Sequence, residues 1–214
     1  MKLSERTLDI LKYFSVINPS IYVRQGNVVS TIAPSQAILA RATVAENFEQ
    51  EFAIHSLSRF LGTVTLFTDP EFEFQEKFVT IRSGKQRVNY TYADPSMLVV
   101  PPTKEIKFPE TEVEFDLTAA DLVTIQKAGS VLQAPEIAIV GEDGVLSIRA
   151  VDSKNSTADV FSVDVGEAAT DFSVLFKPEN LKLVPGDYKV AVTSKGIAKF
   201  ETSDITFWIA TQSK

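Results

Sequence analysis

The order of helix-like and strand-like segments in this sequence runs through once and then begins again, and that repetition constrains the fold more than any single motif. Residues 4–17 carry Leu8, Ile10, Leu11, Phe14 and Ile17 at three- and four-residue spacings, and with Thr7 these fill one half of a helical wheel. Arg6, Asp9, Lys12 and Tyr13 fill the other half. Ser4 supplies an N-cap, and Asn18-Pro19 stops the helix because proline disfavours the α conformation in the residue before it. In the second half, Thr118-Ala119-Ala120-Asp121 opens a matching helix that runs through Lys127 to about Val131. A short helix is predicted over His55–Leu61. Its counterpart is Lys177-Pro178-Glu179-Asn180-Leu181, with Pro178 in the first turn, so that Phe52–Leu61 aligns with Phe172–Leu181 at an offset of 120.

Between the helices the period changes from 3.6 to 2. Val28–Ala33, Ile38–Val44, Val64–Phe67, Phe78–Arg82 and Arg87–Tyr92 read as strands in the first half, the last two joined at Ser83-Gly84. Ile137–Val140, Val145–Ala150, Phe161–Val165, Tyr188–Thr193, Ile197–Glu201 and Ile205–Ala210 read as strands in the second, where the Ser194-Lys195-Gly196 turn matches that hairpin. The unit that repeats is one long helix, one short helix and roughly seven strands, an α+β arrangement. Four prolines between Asp94 and Pro109 mark an extended connector, so the predicted organisation is a domain over 1–93, a connector over 94–109 and a domain over 110–214. The connector carries Met97-Leu98-Val99-Val100, whereas a solvated tether would be polar.

Composition removes several chemistries. With no cysteine and only His55, the chain offers no disulfide framework, no thiolate nucleophile and no multi-histidine or thiolate metal site. No Walker loop or dinucleotide fingerprint occurs, and no cofactor is implied. His55 has no neighbouring Ser and Asp constellation and is expected to cap or pack. Glu71, Glu73 and Glu76, like Glu110, Glu112, Glu114 and Asp116, alternate with apolar residues as solvated strand faces do. The amino terminus leads into charged residues rather than a signal-type apolar run, and no stretch approaches the ~20 apolar residues of a membrane span. The expected setting is cytoplasmic, away from any membrane.

Several segments together resemble the DNA polymerase sliding clamp of T-even-type tailed phages. They are Met1-Lys2-Leu3-Ser4, Ile10 to Asn18, Phe52 to Gly62, and Ala93 to Ser96 through Phe108-Pro109. In the second half they are Pro185-Gly186-Asp187-Tyr188-Lys189 and Ala198-Lys199-Phe200. The resemblance implies a homotrimeric ring of clamp domains, with sheets outside and helices lining a hole that encircles duplex DNA. It implies no catalysis. It also implies a replicative DNA polymerase held for processivity, an ATP-driven clamp loader, late-transcription factors as further partners, and work in the cytoplasm of an infected bacterial host.

A clamp needs positive charge on the helices that face phosphate, even in an acidic subunit. The four expected helical segments and their flanks hold Lys2, Arg6, Lys12, Arg59, Lys127, Lys177 and Lys182 against Glu5, Asp9, Asp121 and Glu179, a surplus of three in a chain of net charge −7. Basic residues on solvated helix faces are also common without any such role. Clamp partners insert short peptides with apolar anchors beside the connector, which makes Met97, Leu98, Val99 and Val100 with Phe207, Trp208, Ile209 and Ala210 the candidate pocket; packing of the connector onto its domain is the competing use of the same residues. Ring closure needs free sheet edges, for which Arg87–Tyr92 and Val160–Val165 are candidates. A β-rich structural or adhesive virion protein is the alternative function.

Overall fold

Hydrophobic periodicity builds two units, Met1–Glu105 and Ile106–Lys214, whose boundary falls inside the proline-rich stretch. The structure is a computed structural model that describes residues 1–104 and 106–213.

The first unit opens with α1 (Glu5–Ile17), where the Ser4 hydroxyl accepts from the Thr7 N–H and the buried face is Thr7, Ile10, Leu11, Phe14 and Ile17. Then come β1 (Ile21–Val23), β2 (Gly26–Ile32), β3 (Ile38–Phe48) and β4 (Phe52–Ile54), followed by α2 (Leu57–Val64), β5 (Glu71–Phe74), β6 (Phe78–Ser83) and β7 (Gln86–Thr91). β1 pairs antiparallel with β4, β2 with β3, and β5, β6 and β7 form a meander with β7 at its edge. Phe48, Phe52 and Phe74 meet at ring-centroid distances of 4.9 to 5.7 Å, and Phe60 and Phe72 lie beside them. After β7, Pro95–Met97 form a 3-10 turn whose cap is Asp94, which accepts from the Ser96 N–H at 2.9 Å.

The second unit contains β8 (Val113–Leu117), α3 (Ala119–Leu132), β9 (Glu136–Glu142), β10 (Val145–Val151), β11 (Phe161–Glu167) and β12 (Phe172–Phe176). A 3-10 turn (Pro178–Asn180) leads to β13 (Tyr188–Val192), β14 (Ile197–Glu201), β15 (Ile205–Ala210) and β16 (Gln212–Ser213). One antiparallel sheet has the order β11-β10-β9-β12-β16. The other pairs β8 with β13, β13 with β14 and β14 with β15. Leu117, Leu122, Ile125, Ile137, Ile139, Ile148, Phe176, Leu181 and Phe200 converge between α3 and the strands. Burial of this apolar surface, rather than helix propensity, is what stabilises so short a helix.

Two expectations are corrected. Val64–Phe67 is not a strand: Leu57, Phe60 and Val64 continue the three- and four-residue spacing, so α2 extends to Val64 and Leu66 is left exposed. Lys177–Leu181 does not form an α-helix but the single 3-10 turn, because Leu181 and Leu183 are drawn into the core and only three residues separate Lys177 from Leu181.

Candidate functional site

The helices carry the first candidate surface. Arg6 and Lys12 are exposed on α1, Arg59 on α2 and Lys127 on α3, each opposite its helix's buried face. Lys2 precedes α1 and pairs with Asp69. Lys177 and Lys182 flank the 3-10 turn instead of lying on a helix, Lys182 being half-buried. The three α-helices therefore hold Arg6, Lys12, Arg59 and Lys127 against Glu5, Asp9 and Asp121, a surplus of one positive charge rather than three. A small positive surplus of this kind on helices suits loose, sequence-independent phosphate contact, since every neutralised phosphate adds affinity and slows sliding. Arg59 also lies over Tyr90 of β7, 5.9 Å from the ring centroid, while the Tyr90 hydroxyl donates to the Ser56 carbonyl at 3.2 Å. Burial pushes the Tyr90 phenol up, with Arg59 opposing it. His55 is exposed and the N-cap position of α2 belongs to Ser56, so the histidine is not the cap.

The apolar candidates divide by local geometry. In the 94–101 strap, Met97 is 75% exposed, Val99 and Val100 are exposed and Leu98 is half-buried. On β15, strand alternation sends Phe207 and Ile209 into the core at 0% exposure, where Phe207 meets Tyr188 at 6.1 Å. These two are removed from the candidate pocket because no ligand reaches them without unfolding the strand. Trp208 and Ala210 point the other way, half-buried and exposed.

Sequence reasoning missed how the strap is held. Asn18, the C-cap of α1, is 3% exposed, and its amide donates to the Val99 carbonyl at 3.2 Å and to the Ile32 carbonyl at 2.9 Å. Arg24 donates to the Pro101 carbonyl at 3.0 Å. The only sequence signal was a polar residue before Pro19, which reads as a helix stop.

Both candidate edges are edges. Among the described residues β7 pairs only with β6 and β11 only with β10. From Lys77 to Ala93 the chain has Lys77, Arg82, Lys85 and Arg87 and no acid, whereas from Asp159 to Asp171 it has Asp159, Asp164, Glu167 and Asp171 and no base. On β7, Arg87, Asn89 and Thr91 face out and Val88 and Tyr90 face in; on β11, Ser162 and Asp164 face out and Val163 and Val165 in.

Antiparallel sheets backed by helices, repeated along one chain, define a DNA-clamp fold. A PCNA from A. fulgidus, solved with the C-terminal region of FEN-1 bound, superposes with a TM-score of 0.75 at 11% identity, over 100% of this chain and 97% of that one. A putative DNA polymerase III β subunit from Eubacterium rectale gives 0.71 at 14% identity, over 96% of this chain and 63% of that one. A family model described as DNA polymerase processivity factor matches residues 2–100, and one described as gp45 sliding clamp, C terminal, matches 114–213. The sliding clamp of Vibrio phage KVP40 is 33% identical over the whole of both chains, and that of Escherichia phage RB69 is 30% identical over 100% of this chain and 97% of its own. The chain belongs to the phage sliding-clamp family of DNA polymerase processivity factors. The alternative of a virion structural or adhesive protein has no support beside this full-length relationship.

Proposed function

We propose that three copies of this chain close head to tail around duplex DNA and hold the replicative polymerase to its template without catalysing a reaction. An ATP-driven loader opens and places the ring, late-transcription factors use it as a mobile platform, and the work takes place in the cytoplasm of the infected bacterial host. The observation that carries this reading is the end-to-end relationship to phage sliding clamps.

Ring closure draws support from the two free edges. Laying β11 of one copy along β7 of the next sets Asp164 and Ser162 on the side of Arg87 and Asn89, and Val163 and Val165 on the side of Val88 and Tyr90. Two β7 edges would bring like charges together, as would two β11 edges, so the heterologous contact is favoured over the isologous ones. Arg6, Lys12, Arg59 and Lys127 are the cations suited to phosphate, while Lys2, Lys177 and Lys182 contribute at most from the flanks. Met97, Leu98, Val99 and Val100 in the first unit are an apolar surface suited to partner peptides, and Trp208 and Ala210 in the second unit are a separate one.

The test is topological. After loading, the clamp should stay on a closed DNA circle and leave when the circle is cut; equal retention on both would overturn encirclement. Light scattering should give about 71 kDa, three times the 23.6 kDa chain.

A further inference from the structure

The strap at 94–101 leaves the apolar side chains of Met97, Val99 and Val100 exposed. It is tied through its main chain. The Ala93 N–H donates to the Ala53 carbonyl at 2.9 Å, Asn18 takes the Val99 carbonyl at 3.2 Å and Arg24 takes the Pro101 carbonyl at 3.0 Å. Because the ties use carbonyls and an amide, the side chains are left over, and those of Met97, Val99 and Val100 face out.

Each tie is itself braced. The Asn18 oxygen accepts from the Ser20 N–H at 2.9 Å and from the Ser20 hydroxyl at 3.0 Å, which fixes the amide orientation so that its two hydrogens meet Val99 and Ile32. The Arg24 guanidinium lies over the Tyr22 ring, 5.3 Å from its centroid, and the Tyr22 hydroxyl donates to Glu51 at 2.5 Å. Asn18 also caps α1, so one buried amide joins the end of that helix to the strap.

We infer that Asn18 and Arg24 are positioning residues for partner binding: they hold the 94–101 strap in its binding conformation so that its apolar side chains meet a partner peptide already ordered. This rests on the partner-surface reading above. Ordering a free backbone costs about 1 to 2 kcal/mol per residue, and a surface ordered in advance spares that cost at the moment of association. Asn18 donates to the Val99 carbonyl and Arg24 to the Pro101 carbonyl, and through these bonds both act on the strap.

The full-length clamp can be tested directly, because a chain without cysteine accepts a single nitroxide label at Ser96→Cys. Arg24→Leu, which removes the donor, should raise label mobility, speed exchange of the strap amides about tenfold and weaken binding of the same phage's purified polymerase about tenfold, with solution mass and retention on circular DNA unchanged. Arg24→Lys, which keeps a donor, should restore most of the affinity. A looser strap with unaltered polymerase affinity, or a strap no looser than before, would overturn the positioning role. Met97→Asp in the otherwise unaltered chain separates the two levels: if polymerase affinity does not fall, the partner-surface reading itself is wrong and this inference goes with it.

Discussion

The Glu46 carboxylate accepts a hydrogen bond from the Thr7 hydroxyl beneath the first turn of α1, joining β3 to the helix across 39 residues of sequence. It also accepts from the Ser4 N–H, so one buried acid serves the cap residue and the first turn together. Burial pushes the Glu46 carboxyl up, but the hydrogen bonds from Thr7 and Ser4 outweigh it and hold the group below the usual carboxylate range. A folded-state value below the unfolded one contributes stability that is complete above the unfolded value and is lost as pH falls through the folded one.

Glu46→Gln should therefore flatten the acid limb of the stability curve below the ordinary carboxylate range. Glu46→Ala, which leaves the Ser4 N–H and Thr7 hydroxyl without this acceptor, should cost about 2 kcal/mol at neutral pH. Urea unfolding at a series of pH values reads both effects, and an unchanged acid limb in Glu46→Gln would sink the assignment.

The two edges predict a reciprocal charge experiment. Lys85→Glu with Arg87→Glu should reduce the proposed trimer to smaller species, as should Asp159→Lys with Asp164→Lys, while the four changes together should restore it. Gel filtration coupled to light scattering distinguishes these outcomes. Trimers in both double variants would mean that the charges do not select the contact, and the wild-type assembly should weaken with added salt if they do.

Reversal of Lys12, Arg59 and Lys127 to Glu should lower processive synthesis several-fold and reduce the retention half-life on circular DNA. Lys177→Glu with Lys182→Glu should have a much smaller effect, because the 3-10 turn there presents no helical face. Equal losses from the two sets, measured as product length on a primed circle, would contradict the division between helix and flank.

Adjacent positions on β15 should behave in opposite ways. Phe207→Ala removes a fully buried ring and should cost about 3 to 5 kcal/mol in a denaturant titration. Trp208→Ala should leave stability within about 1.5 kcal/mol of the parent and weaken partner binding instead. Since Trp208 is the only tryptophan, its fluorescence should also shift when a partner binds, a change absent if the residue serves packing alone.

What the linear chain determined by itself was local and periodic. The α1 wheel, the alternation in Phe161–Glu167 and the turn at Ser83-Gly84 follow from side-chain spacing and backbone sterics, so they were legible before any tertiary contact was known. Alternation named Arg87–Tyr92 and Val160–Val165 as candidate edges, but strand pairing alone decided that β7 and β11 are edges among the described residues. Tertiary structure decided the rest. Lys177 and Lys182 lost their expected helix because packing of Leu181 and Leu183 outweighed the propensity of a few residues. Phe207 and Trp208 look alike as adjacent apolar residues, and only the sheet's inner and outer faces separate them. Asn18 reads as a helix stop until the fold brings Val99, 81 residues away, within reach of its amide. Periodicity acts within a few residues, whereas a buried hydrogen bond is specified only when distant backbone is already in place to accept it.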